Sequence, residues 1–66
     1  MNRDQLVRTL RREARKKGLT LTVTTYRGKG SHVLAATEAG RTTLADRDYG
    51  PALVAKVRRA LGLQRE

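Results

Sequence analysis

The sequence lacks the residues with which small domains often form disulfides or structural metal sites. It contains no cysteine, so no disulfide can form, and its single histidine cannot make a structural zinc site by itself. It has neither Trp nor Phe, and no apolar run approaches the roughly 20 residues that a membrane span needs. The 66 residues are therefore predicted to form one domain with a small packed core. With no signal-peptide core either, we expect a soluble, cytoplasmic protein without membrane contact.

Acidic residues are also scarce. Six Asp and Glu stand against fifteen Lys and Arg, which gives a formal net charge of +9. Such a balance is typical of proteins that bind nucleic-acid phosphates or an acidic partner. Asp46 and Asp48 are close together in the sequence, but a divalent cation needs more oxygen ligands than this pair offers. We interpret them as turn residues before a helix and expect no metal or other cofactor.

The spacing of apolar residues predicts a helix at each end of the chain and three strands between them. Asn2 and Gln5 have the spacing of a capping box, and Gly18 suits the end of the first helix. The predicted elements are a helix at 2–17, strands at 19–26, 32–37 and 41–45, and a helix that begins at Pro51 and is ended by Gly62. The predicted fold is α+β, an α-β-β-β-α chain whose antiparallel sheet carries both helices on one face. Double-stranded RNA-binding domains share this arrangement.

The loop before the second strand holds the candidate catalytic residue, His32. Histidine is the side chain type whose ordinary pKa, about 6.5, suits proton transfer at neutral pH. The preceding glycines allow a close approach of the backbone to an anion, and the cations of this loop add positive charge. The loop residues predicted to bind RNA phosphates are Arg27, Gly28, Lys29, Gly30 and Ser31. Their spacing and context are not those of a nucleotide-binding P-loop.

Basic side chains on the first helix are the second candidate contact with RNA. Arg11, Arg12 and Arg15 lie on its polar side, away from the apolar residues that define the buried side. Arginines in such a position bind phosphate without reading the base sequence. We therefore expect weak sequence specificity and a strong dependence of binding on salt.

The sequence resembles the HicA toxins, the mRNA-cleaving members of bacterial HicA–HicB toxin–antitoxin pairs. The matching features occur in order along essentially the whole chain. They are a basic first helix ending in Lys17-Gly18, the signature Gly30-Ser31-His32, the turn Gly40-Arg41-Thr42-Thr43, and the ending Ala60-Leu61-Gly62-Leu63. The resemblance implies a fold of the double-stranded RNA-binding type, a catalytic role for His32, and a HicB-like antitoxin that covers the histidine face with an acidic surface.

The sequence departs from this family after the third strand. Many members have Pro-Arg-His and a longer loop there, whereas this chain has Ala45-Asp46-Arg47-Asp48-Tyr49 and no second histidine. The group that protonates the leaving oxygen is therefore unassigned, with water and Lys29 as candidates. The leading hypothesis is a metal-independent endoribonuclease toxin that cleaves mRNA. Two alternatives stay open, a non-catalytic RNA-binding module and an adaptor that binds only an acidic protein.

Overall fold

The computed structural model describes residues 1–25 and 32–63. Its elements follow the order α1 (Arg3–Lys16), β1 (Thr22–Thr25), β2 (Val33–Thr37), β3 (Gly40–Leu44) and α2 (Pro51–Ala60). The three strands form one antiparallel sheet in which β2 is central. Thr25 and Leu44 flank Val33 at one end of β2, and Thr22 and Arg41 flank Ala36 near the other. The predicted α-β-β-β-α fold is confirmed.

Local capping interactions set the limits of both helices. Asn2 accepts a hydrogen bond from the Gln5 amide, and the Gln5 side chain accepts one from the Asn2 amide, which completes the predicted capping box. Gly18 and Gly62 adopt positive φ angles of 75° and 73° directly after the helix caps. Glycine takes this left-handed conformation without steric cost, so both helices end where the sequence indicated.

The first strand begins three residues later than predicted. The Leu19 amide donates to the Ala14 carbonyl at 2.8 Å, which closes the last turn of α1. The Thr20 amide donates to the Glu38 carboxylate at 2.8 Å. Residues 19–21 therefore use backbone groups to close the helix and to hold the β2–β3 turn, and the sheet ladder starts only at Thr22. Tyr26, the predicted last residue of this strand, lies outside the described residues.

The core lies between the sheet and the two helices. Its buried side chains come from both helices, from one side of the strands and from the segments beside them, and they are Leu6, Leu10, Ala14, Leu21, Ala35, Leu44, Tyr49, Val54, Val57, Leu61 and Leu63. Alternate strand residues point the other way, away from the helices. They form a surface that we call the open face, made of Thr22, Thr24, Leu34, Ala36, Arg41 and Thr43. The predicted placement of both helices on one side of the sheet agrees with this division.

The β2–β3 turn is hydrogen-bonded to the C-terminal end of α2. The Thr37 hydroxyl donates to the Leu61 carbonyl at 2.7 Å and accepts from the Ala39 amide at 3.1 Å. A Cβ added to Gly40 would overlap the carbonyl oxygen of Ala60, so the strand and the helix approach as closely as glycine allows. This contact fixes the position of the first residues of β3.

Candidate active site

His32 directly precedes the central strand. Its neighbour Val33 pairs with Thr25 on one side and with Leu44 on the other, so His32 lies at the edge of the sheet where β1 ends and β2 begins. The residue is half-buried. It continues the alternation that places Leu34 and Ala36 on the open face, because side chains two residues apart along a strand share a side. His32 therefore borders the open face rather than the helix layer.

The other residues predicted for this loop are not described by the structure. Arg27, Gly28, Lys29, Gly30 and Ser31 all lie outside the described residues. Their predicted contacts with phosphate stay predictions.

Two arginines of α1, Arg11 and Arg15, line a separate basic groove. Arg11, Arg12 and Arg15 are exposed, as predicted. Arg11 Nη1 donates to the Leu21 carbonyl at 3.3 Å, which anchors its guanidinium between the helix and the start of β1. Arg11 and Arg15 line this shallow groove together with Leu19, Thr20 and Leu21. A guanidinium carries five N–H donors, so Arg11 retains donors that can bind an anion.

The structure does not bring this groove and His32 together. Leu21 precedes the first residue of β1, whereas His32 lies beside the last one. Thr25 lies four residues beyond Leu21, a span of about 13 Å at the usual rise per residue of a strand. The groove also lies on the helix side of the sheet, and His32 borders the open face. A single phosphate cannot contact both places.

Carboxylates modify the charge of the basic regions. The Arg58 guanidinium donates to the Glu13 carboxylate through two parallel hydrogen bonds, of 2.9 Å from Nε and 2.7 Å from Nη2. The hydrogen bond to Glu13 raises the pKa of Arg58. This pair joins α1 to α2 in a second groove, which Lys16, Lys17 and Leu63 also line. Arg58 is thus partly neutralised by its partner.

Glu38 borders the Arg11–Arg15 groove through Thr20. Hydrogen bonds from the Thr20 amide and from its own amide lower the pKa of the Glu38 carboxyl group. The carboxylate is fully exposed, so solvent screens its charge. Its presence beside Thr20 nevertheless reduces the positive potential of this groove.

Arg41 is the cation of the open face, and in the sequence it stands out only as part of the turn Gly40-Arg41-Thr42-Thr43. It is exposed and pairs with Ala36 in the ladder between β2 and β3. Among residues 1–25 and 32–63 its side chain has no hydrogen-bond or ion-pair partner. The alternation of exposed Arg41 and Thr43 with half-buried Thr42 and buried Leu44 is the sequence signal that could have placed it here.

Potential metal-binding side chains are not clustered in the described part of the chain. Within the described residues no group of three or more His, Cys, Asp or Glu side chains is close enough to hold a metal ion. Asp46 and Asp48 lie in the exposed segment between β3 and α2, where the sequence placed them. In the same described ranges, neither helix has the length and apolar character needed to cross a membrane.

Comparisons with protein-family models, with curated proteins and with solved structures return no match for this chain.

Proposed function

We propose that the protein is a metal-independent endoribonuclease of the HicA type, the toxin of a toxin–antitoxin pair, and that it cleaves mRNA with His32 as general acid/base. The observation that carries this proposal is the position of His32. It lies beside the central strand, at the border of the open face, which holds Arg41 and several threonine hydroxyls and which neither described helix covers. The net charge of +9 supports an RNA substrate.

The chemistry requires one proton acceptor and one proton donor. His32 removes the proton from a ribose 2′-hydroxyl, and the 2′-oxygen then attacks the adjacent phosphorus. The bond from phosphorus to the 5′-oxygen breaks, which leaves a 2′,3′-cyclic phosphate on one product and a 5′-hydroxyl on the other. Water or Lys29 supplies the proton to the leaving 5′-oxygen. Nearby cations stabilise the negative charge that develops on the phosphate.

A HicB-like antitoxin is the proposed protein partner. The basic surface favours a partner that presents carboxylates, and coverage of the open face would block access to His32. We place both proteins in the cytoplasm, where mRNA is available. No cofactor is part of the proposal.

Purified protein tests the activity directly. The wild type is expected to cleave a labelled mRNA fragment in the presence of EDTA and to leave 2′,3′-cyclic phosphate ends. His32→Ala and His32→Gln are both expected to lower the rate by at least about 100-fold, the usual contribution of general acid–base catalysis. Glutamine retains hydrogen bonding but carries no titratable proton, so it separates proton transfer from simple contact. RNA binding by both variants should be retained.

Growth provides the second measurement. Expression of the wild type without an antitoxin should arrest growth, and expression of His32→Ala should not. A folded wild-type protein that binds RNA without cleaving it would refute the nuclease and support the RNA-binding module. The Arg11–Arg15 groove, remote from His32, is the feature that favours this second candidate.

A further inference from the structure

The open face has the form of a short track with a functional group at each end. His32 borders one end, and Arg41 lies beside Ala36 near the other. The positions from 32 to 36 on the central strand span about 13 Å at the usual rise of a strand. The intervening residues, Thr22, Thr24, Leu34, Ala36 and Thr43, have small or medium-sized side chains. Nothing as long as an arginine stands between the two ends among these residues.

The chemistry of this track suits a nucleic-acid strand. Threonine hydroxyls donate and accept hydrogen bonds, as the ribose 2′-hydroxyl also does. Leu34 and Ala36 are half-buried on the central strand and offer an apolar strip for base or sugar contact. Arg41 supplies a forked donor that matches a phosphate group. The open face carries no carboxylate, which distinguishes it from both helix-side grooves.

We infer that Arg41 binds a substrate phosphate one or more nucleotides away from the phosphate cleaved at His32, and that the substrate is single-stranded RNA lying along the open face. This inference rests on the proposed function, and it assigns substrate positioning to the sheet rather than to the arginines of α1. Three strands at their usual spacing make a track about 10 Å wide. A single strand fits this width. The attacking 2′-oxygen must also align with the leaving oxygen, a geometry that the regular A-form duplex does not provide.

The separation of His32 and Arg41 makes cleavage dependent on substrate length. A ribodinucleotide has one phosphate, so it offers no phosphate to Arg41 when that one lies at His32. A ribohexanucleotide with the same cleavable junction can reach both. We therefore expect Arg41 to contribute to the reaction of the longer substrate alone, and mainly through KM.

The test compares Arg41→Ala with Arg59→Ala on both substrates. Arg59 is an exposed cation on α2, so its replacement removes the same charge from the helix layer. Arg41→Ala should lower kcat/KM for the hexanucleotide about three- to tenfold, the size expected for the net loss of one hydrogen-bonded contact at an exposed position. It should leave the dinucleotide unchanged and reduce the slope of log KM against log salt by about 1. Arg59→Ala should leave the length preference unchanged.

Several results would overturn the inference. Equal effects of the two substitutions on the hexanucleotide would indicate general electrostatics, and an equal loss on the dinucleotide would exclude a remote phosphate contact. Oligoglutamate is also added as a competitor of RNA. If Arg41→Ala weakens inhibition by oligoglutamate as strongly as it weakens the reaction of the hexanucleotide, the open face is a docking surface for an acidic protein instead. Thermal unfolding of each variant checks that both remain folded, since an exposed substitution changes stability little.

Binding measurements separate this inference from the proposed function. Labelled hexanucleotide and labelled dinucleotide are each titrated into the His32→Ala protein and into His32→Ala combined with Arg41→Ala. If the wild type cleaves no RNA, the nuclease is refuted, and a length-dependent loss of binding on removal of Arg41 still supports RNA on the open face. If cleavage occurs and this loss is absent, the nuclease stands and the placement of RNA along the open face is refuted.

Discussion

The Thr37 hydroxyl makes the contact that holds the β2–β3 turn, and with it the start of β3, against α2. Thr37 is half-buried, and its oxygen makes both a 2.7 Å bond to the Leu61 carbonyl and a 3.1 Å bond from the Ala39 amide. Thr37→Val keeps the shape of the side chain and its preference for a strand while removing both bonds. Each hydrogen bond contributes about 0.5–1.5 kcal/mol net, so the expected loss of unfolding free energy is about 1–3 kcal/mol.

Chemical and thermal unfolding measure this loss. For a domain of this size a change of about 2 kcal/mol corresponds to a decrease in Tm of roughly 8–16 °C. In urea the midpoint should fall while the slope m stays constant, because the same surface is exposed on unfolding. The matched control is Thr24→Val, the same replacement at an exposed position on β1. If Thr37→Val and Thr24→Val unfold at the same temperature, the turn is not held by the Thr37 hydroxyl and this reasoning fails.

Two further predictions concern stability. Gly40→Ala should destabilise the fold by at least about 2 kcal/mol, because the added Cβ would overlap the Ala60 carbonyl and force the strand away from the helix. The control is Gly50→Ala, which should lower the unfolding free energy much less, because nothing lies within 4 Å of its added Cβ. Equal losses of unfolding free energy in urea would exclude a steric cause. The lowered pKa of Glu38 means that its stabilising contribution is present above the ordinary value of 4.5 and is lost as the pH falls through the folded-state value. Glu38→Gln, which keeps an acceptor for Thr20, should therefore flatten the decrease in Tm below pH 4.5, and an unchanged acid profile would contradict the role of this carboxylate.

Much of the fold could be predicted from the sequence because its signals are local. The Asn2 capping box and the glycines at 18 and 62 act within a few residues, and they mark helix ends wherever the helices pack. Alternation along the strands depends only on backbone geometry, so the sequence of β3 already carries the signal that Arg41 and Leu44 lie on opposite sides. The start of β1 could not be predicted from the sequence, because the Thr20 amide donates a hydrogen bond to Glu38, eighteen residues away in the chain.

The candidate site was only partly predictable. In the sequence, His32 stands out by its chemistry and its glycine-rich surroundings, and the arginines of α1 stand out by their number. The number of basic residues on a helix does not show whether a given cation lies on the helix side of the sheet or on the open face. The structure separates Arg11 and Arg15 from His32. It places Arg41 on the open face, which His32 borders.

By itself, the sequence determined the fold class, the helix ends, the net charge and the type of side chain available for proton transfer. These properties depend on composition and on interactions between near neighbours. The tertiary structure decided which cation shares a face with His32, because strand register sets the distance and the side of every residue in the sheet. It also decided the fastening of the turn by Thr37 and the pairing of Glu13 with Arg58, since these contacts join residues far apart in the chain.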